Sequence, residues 1–257
     1  MRAAFLLVAL CAGSAVAQIP PIPASELRSG VSFGSAELRA MQGDDFANPG
    51  MLWVERGQKL WQTPAGATAR ACASCHSDAA AAMKGVAARY PVFDAATKRV
   101  VDVQGRINAC RTTQQQAPAL VRESEDLLAL SAFIAYQSRG VPVAVTAGAD
   151  ARAALEQGRD FYDARHGQMD LSCSDCHDRY WGRRLLAETI SQGHPTAYPA
   201  YRLEWQTLGS LTRRIRACLF GIRAQMLAPD DPKLGALEFY LAWRANGLPL
   251  EAPGVRR

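Results

Sequence analysis

Residues 55–61 read ERGQKLW and residues 72–76 read CASCH; further along, the same pair of phrases returns as EQGRDFY at 156–162 and CSDCH at 173–177. In both places a glycine, Gly57 or Gly158, stands 15 positions before the first cysteine. Two more landmarks follow in the same order. RINAC (106–110) is matched by RIRAC (214–218), and ALSAFIAYQSRGVP (129–142) by ALEFYLAWRANGLP (236–249). Agreement that keeps its order over this length marks two copies of one fold. It predicts domains at 48–145 and 150–250, with the proline- and small-residue segment PVAVTAGAD (142–150) as the linker and an extended arm at 18–47.

Apolar residues recur at three- and four-residue steps over 51–61, 124–139, 152–165 and 233–245, the period of an amphipathic helix. No long alternating run argues for strands. The class is mainly α, with long loops punctuated by glycine and proline, such as GHPTAYPAY (193–201).

A chain of 257 residues with 49% hydrophobic content can fill one large core or two small ones. A formal charge of +5 without a lysine-rich block gives no footprint for nucleic acid. The start, MRAAFLLVALCAGSAVAQ, has one arginine, a short apolar run and the small-residue pattern Ala15-Val16-Ala17, the marks of a secretory signal cleaved after residue 17. That run is too short to span a bilayer, no later segment is long and uncharged enough, and Leu10 before Cys11 is bulky for a lipoprotein site. Export removes Cys11 and leaves six cysteines in an oxidising setting, where three disulfides would be the ordinary expectation.

The spacing argues otherwise. C-x-x-C-H attaches c-type haem through two thioethers, with the histidine placed beneath the iron. Here the motif stands at equivalent points of a repeat: Cys72, Cys75 and His76, then Cys173, Cys176 and His177. Zinc needs two more ligands per pair, and a redox disulfide does not explain the histidine. The expectation is two covalently bound haems in tandem class I cytochrome c-like domains.

For a sixth ligand, Met83, Met226, His166 and His194 have no counterpart in the other copy. Cys110 and Cys218 do: they lie 34 positions after His76 and 41 after His177, each behind an Arg-Ile-x-Ala step. Axial ligation by these thiolates accounts for every mature cysteine. The alternatives are a Cys110–Cys218 disulfide or two inert core thiols.

These residues resemble the dihaem SoxA subunits of the SoxAX cytochromes, over nearly the whole mature chain, both haem motifs and both solitary cysteines. The resemblance implies a periplasmic L-cysteine S-thiosulfotransferase. Such an enzyme oxidatively joins thiosulfate to a cysteine of the carrier SoxYZ, works as a heterodimer with the cytochrome SoxX, and passes two electrons to cytochrome c. It also implies that Cys218 is the active-site ligand, able to hold an extra sulfur as a persulfide, and that Arg214 belongs to the same site. Some relatives lack the first haem; CASCH and Cys110 place this chain in the dihaem branch.

If 213–219 is helical, Arg214 and Cys218 share a face, and a guanidinium there favours the thiolate. Arg213, Arg216 and Arg223 would add a positive funnel for a sulfur oxyanion. Arg106 stands at the matching step before Cys110, so an arginine here also suits haem-domain packing. A thiolate lowers the iron potential, so either Cys218 leaves the iron in turnover or the electrons go to the haem of SoxX. Two other functions compete: a dihaem electron-transfer cytochrome without substrate chemistry, and a dihaem peroxidase using His166 or His194.

Overall fold

A computed structural model describes residues 22–257, so the expected leader at 1–17 lies outside the described residues. The arm is not simply extended. It makes two 3-10 turns (Ala24–Glu26, Gly30–Phe33) and a helix α1 (Ala36–Gly43). Ser35 explains the helix: its hydroxyl accepts from the Leu38 N–H at 3.3 Å, and Glu37 lies in the positive first turn.

Helices α2 (Met51–Gln62), α3 (Ala73–His76) and α4 (Ala79–Ala82) come next. A short antiparallel hairpin follows, β1 (Val92–Asp94) with β2 (Arg99–Val101), pairing Val92 with Val101. It launches α5 (Val103–Cys110), capped by Asp102 through the Gly105 N–H at 2.7 Å. Then comes α6 (Glu125–Tyr136), with Ser124 as N-cap.

Past the linker lie α7 (Arg152–Asp163) and two hairpins: β3 (Arg184–Leu185) with β4 (Glu188–Thr189), and β5 (Ala200–Arg202) with β6 (Thr207–Gly209). The second launches α8 (Leu211–Gly221), capped by Ser210, and α9 (Pro232–Arg244) begins with proline in its first turn. Residues past the expected end at 250 form β7 (Gly254–Arg256), which pairs parallel with β5.

Two helix crossings organise the core. α2 packs on α6, and α7 packs on α9. A glycine stands at each crossing. A Cβ on Gly57 would lie 2.1 Å from the Ala129 carbonyl oxygen, and one on Gly158 would lie 2.1 Å from that of Ala236. Both are closer than any real contact, so only hydrogen fits.

Alanine should therefore destabilise here, against its usual helix advantage. Gly158→Ala gains about 1 kcal/mol in propensity but must push α7 off α9, at a cost of ~1–3 kcal/mol or more for overpacking. A lower melting temperature for Gly158→Ala and for Gly57→Ala is expected; a raised one would show that the helices part freely.

The linker region is tied to the chain after α9: the Val143 N–H donates to the Leu248 carbonyl at 2.9 Å, and Pro142 bridges Pro249. Between α6, α8 and α9 lies a cavity of about 110 Å³. Glu238 lines it and accepts from the Thr212 hydroxyl. Burial, reinforced by Asp102, pushes its carboxyl up to about 8.

Candidate active site

The first site is a cavity of about 380 Å³ between α3 and α5. Cys72, Cys75 and His76 line one part of it; Cys110, Arg106 and Arg111 line another. Trp61, Val86, Ile107 and Leu130 supply apolar wall. Arg106 donates Nε to the Tyr90 hydroxyl at 3.2 Å, and its guanidinium lies 3.9 Å from Asp94. Met83 lines this cavity too, from within the buried core around Trp61 and Phe133.

The second site is built from the same parts with more polar detail. Cys173 leads into a π-helical turn (Asp175–Arg179) that carries both Cys176 and His177. The His177 Nδ1 sits 2.7 Å from the Ser191 carbonyl oxygen. A carbonyl only accepts, so Nδ1 carries the proton and Nε2 is left with its lone pair for a metal. Burial holds the imidazole down to about 4, which keeps it neutral. Gly193, at φ +74°, brings the loop against the ring; a Cβ there would lie 3.0 Å from His177 Cγ.

Cys218 is exposed on α8. Arg214, one turn earlier on that helix, points into the protein beside Tyr198. Its burial opposes the charge, but the Cys218 sulfur, Tyr198, Glu204 and Glu188 more than offset that, and the guanidinium is held above its ordinary value.

All six cysteines in the described residues are free, so Cys110 and Cys218 are not bridged to each other. Among those residues no group of three or more His, Cys, Asp or Glu side chains gathers as a metal cage. Burial, with Cys218 and Cys176 nearby, pushes the Cys173 thiol up to about 12, and burial raises Cys72 as well. Thiols of that kind are poor exchange partners. The donor set and the apolar walls fit c-type haem instead: paired cysteines, a neutral histidine with one free nitrogen, and a solitary sulfur on a separate helix.

Two of the other arginines are engaged elsewhere: Arg213 stacks over Trp205 at 4.3 Å, and Arg216 donates Nε to the Leu227 carbonyl at 3.0 Å. Arg223 is exposed at φ 56°, with only its backbone carbonyl engaged, accepting from the Gln168 N–H. His166 stacks on Phe161 at 4.3 Å, with Nε2 2.7 Å from that residue's carbonyl oxygen, so it belongs to a turn. Met226 is exposed. His194 differs from these: it is buried, and neither ring nitrogen has a hydrogen-bond partner.

Residues 56–143 match the family model described as SoxA/TsdA, cytochrome c domain. An L-cysteine S-thiosulfotransferase subunit SoxA from Rhodovulum sulfidophilum is 39% identical over 90% of this chain and 80% of its own length. The subunit of that name from Pseudaminobacter salicylatoxidans is 39% identical over 91% and 82%. The crystal structure of SoxXA from P. pantotrophus superposes with a TM-score of 0.85, at 32% identity, covering 89% of this chain and 86% of that one. The chain belongs to the SoxA family. Its fold is the helix-rich, cytochrome c-like fold of that SoxXA structure.

Within this SoxA-family fold, the structure brings Cys173, Cys176, His177, Cys218 and Arg214 into one region, and Cys72, Cys75, His76 and Cys110 around one cavity. Sequence reasoning missed Ser191 and Tyr198. Only a place in a glycine- and proline-rich loop near the motif marked either of them.

Proposed function

We propose that this chain is a dihaem SoxA subunit whose second domain conjugates thiosulfate to a carrier cysteine in the periplasm. The observation that carries the reading is the place of Cys218, unbridged and one turn of α8 after Arg214, whose guanidinium is held above its ordinary value with the Cys218 sulfur as its foremost favourable partner. A fixed cation beside an unbridged sulfur suits a sulfur oxyanion substrate, which an electron-transfer centre does not need.

The chain's parts then take these roles. Cys72 and Cys75, and Cys173 and Cys176, would hold two c-type haems by thioethers. His76 with Cys110, and His177 with Cys218, would supply the iron ligands, in domains spanning about 48–145 and 150–250. When bound, the haems supply one-electron acceptors. Ser191 keeps the Nδ1 proton on His177 and so fixes which nitrogen faces the metal.

Arg214 holds the anionic sulfonate end of thiosulfate beside Cys218. The Cys218 thiolate bonds to the sulfane sulfur of intact thiosulfate, giving a Cys218 S-thiosulfonate as two electrons leave; the carrier thiolate then attacks that sulfane sulfur, and Cys218 departs as the thiolate. Overall, thiosulfate and a carrier thiol give the carrier S-thiosulfonate, one proton and two electrons. One S–S bond forms, and the electrons leave through SoxX to cytochrome c.

The test is to co-purify the chain with a SoxX-type cytochrome and supply thiosulfate, a SoxYZ-type carrier and oxidised cytochrome c. The reading expects the carrier to gain the mass of one thiosulfate for each two cytochromes reduced. Cytochrome reduction with an unmodified carrier would refute it.

The first haem is off the required path in this reading, since family members without it exist. Cys110→Met should change that haem's spectrum while most conjugating activity remains. Loss of nearly all turnover in a folded protein with both haems attached would put the first haem on the path.

A further inference from the structure

On the His177 side of the second site lies a buried ion pair that the chemistry above leaves unused. Asp178 follows His177 directly, and its Oδ1 meets Arg244 Nη2 from the end of α9; the two side chains are 9% and 11% exposed. Tyr162, fully buried on α7, donates its hydroxyl to the same Oδ1 at 3.0 Å, and the guanidinium lies over its ring at 4.5 Å. Arg244 also donates Nη1 to the Gln192 carbonyl at 3.4 Å. Gln192 follows Ser191, the residue that takes the His177 Nδ1 proton. Its own buried amide is clamped by the arm, accepting from the Arg28 N–H at 2.7 Å and donating to the Glu26 carbonyl at 2.9 Å. The pair thus reaches His177 twice, through the chain at Asp178 and through the 191–192 backbone.

The matching positions of the first repeat hold Trp61, Ser77 and Gln137 where the second has Tyr162, Asp178 and Arg244. There Trp61 donates Nε1 to the Ser77 backbone carbonyl at 3.3 Å, and Gln137 returns its amide to the Phe133 carbonyl of its own helix at 3.1 Å. A neutral arrangement packs one copy, so the fold does not require the charges. Burying an ion pair is costly and often no more stabilising than an apolar replacement. Fixed charges beside a redox centre, however, act directly on the balance between its oxidised and reduced forms.

We propose that Asp178 and Arg244 are positioning residues that hold His177 and set the reduction potential of the second haem independently of the first. The proposal rests on the dihaem reading. Asp178 contributes a negative charge that favours oxidised iron, Arg244 a positive one that favours reduced iron, and the pair balances them.

The experiment is potentiometric titration of the holoprotein, following both haems, with haem content and ligation spectra taken on the same samples. Asp178→Asn keeps the acceptor for Tyr162 and Arg244 but leaves the cation uncompensated. The second haem should become easier to reduce, by on the order of tenfold in the oxidised-to-reduced ratio at fixed applied potential, about 59 mV for one electron. Arg244→Gln, which installs the first repeat's residue, should shift it the other way. Arg244→Lys should restore most of that loss, and the first haem should hold its potential throughout.

If native protein lacks two attached haems, the dihaem reading fails first and takes this proposal with it. If both haems are attached and ligated as in the native protein, but the folded Asp178→Asn and Arg244→Gln variants leave the second potential unmoved or shift it in one direction, the pair is only a brace and the tuning role is wrong.

Discussion

Replacing Cys218 with methionine is expected to abolish conjugation of thiosulfate to the carrier thiol, by orders of magnitude, while leaving the second haem in place. The thioethers at Cys173 and Cys176 do not depend on Cys218, which lies on α8 in a separate part of the chain. Methionine keeps an axial sulfur. What disappears is an anionic atom able to carry another sulfur. Two readouts should therefore move together: the second haem's potential rises because a neutral thioether replaces a thiolate, and the carrier remains unmodified. An electron-transfer cytochrome would show the first change alone, with fast reduction and reoxidation. Native-rate conjugation by the methionine variant would refute the assignment outright.

Arg214→Ala is expected to lower kcat/KM for thiosulfate by about 10- to 100-fold, the range for one lost hydrogen bond to a charged group. Haem content should not change, because attachment runs through Cys173 and Cys176, although the Arg214 charge reaches His177 as well as Cys218 and Tyr198. Arg214→Lys should recover only part of the loss, since an ammonium lacks the planar fork that fits a sulfonate. The defect should persist as salt is raised, because a partly buried charge is screened much less than exposed ones. Wild-type kcat/KM across salt concentrations would contradict the electrostatic role, and a variant that loses haem would assign Arg214 to packing. Arg106, held by Tyr90 and Asp94 before Cys110, is what a packing arginine looks like at this step.

The repeat made much of this readable in advance. α2, α6, α7 and α9 start and stop close to the apolar periods at 51–61, 124–139, 152–165 and 233–245, because long amphipathic segments carry their own signal. Both C-x-x-C-H motifs and both solitary cysteines were legible as candidates, and the fold gathers each set into one region. The hairpins that aim α5 and α8 were not visible: three-residue strands such as 92–94 and 200–202 are too short to show alternation. β7 was missed because its partner β5 is far away in the chain, and parallel pairing leaves no local mark.

The arm's helix depended on a cap at Ser35 that a proline- and serine-rich segment conceals among turn signals. The network behind His177 was hidden for another reason. Asp178 and Arg244 read as ordinary surface charges until the fold brings residues from two helices and a turn together and removes their water. Likewise, His194 reads as a loop histidine, and only its burial without partners marks it out.

The central claim is that the Cys218 sulfur is at once an iron ligand and the reacting atom. The most direct test is low-temperature spin resonance with near-infrared spectroscopy on the oxidised native protein, repeated on Cys218→Met. The account predicts thiolate signatures from both haems in the native protein, with the signature of the second haem alone lost in the variant. Methionine or histidine ligation at the second haem of the native protein, or a spectrum that Cys218→Met leaves unchanged, would contradict it.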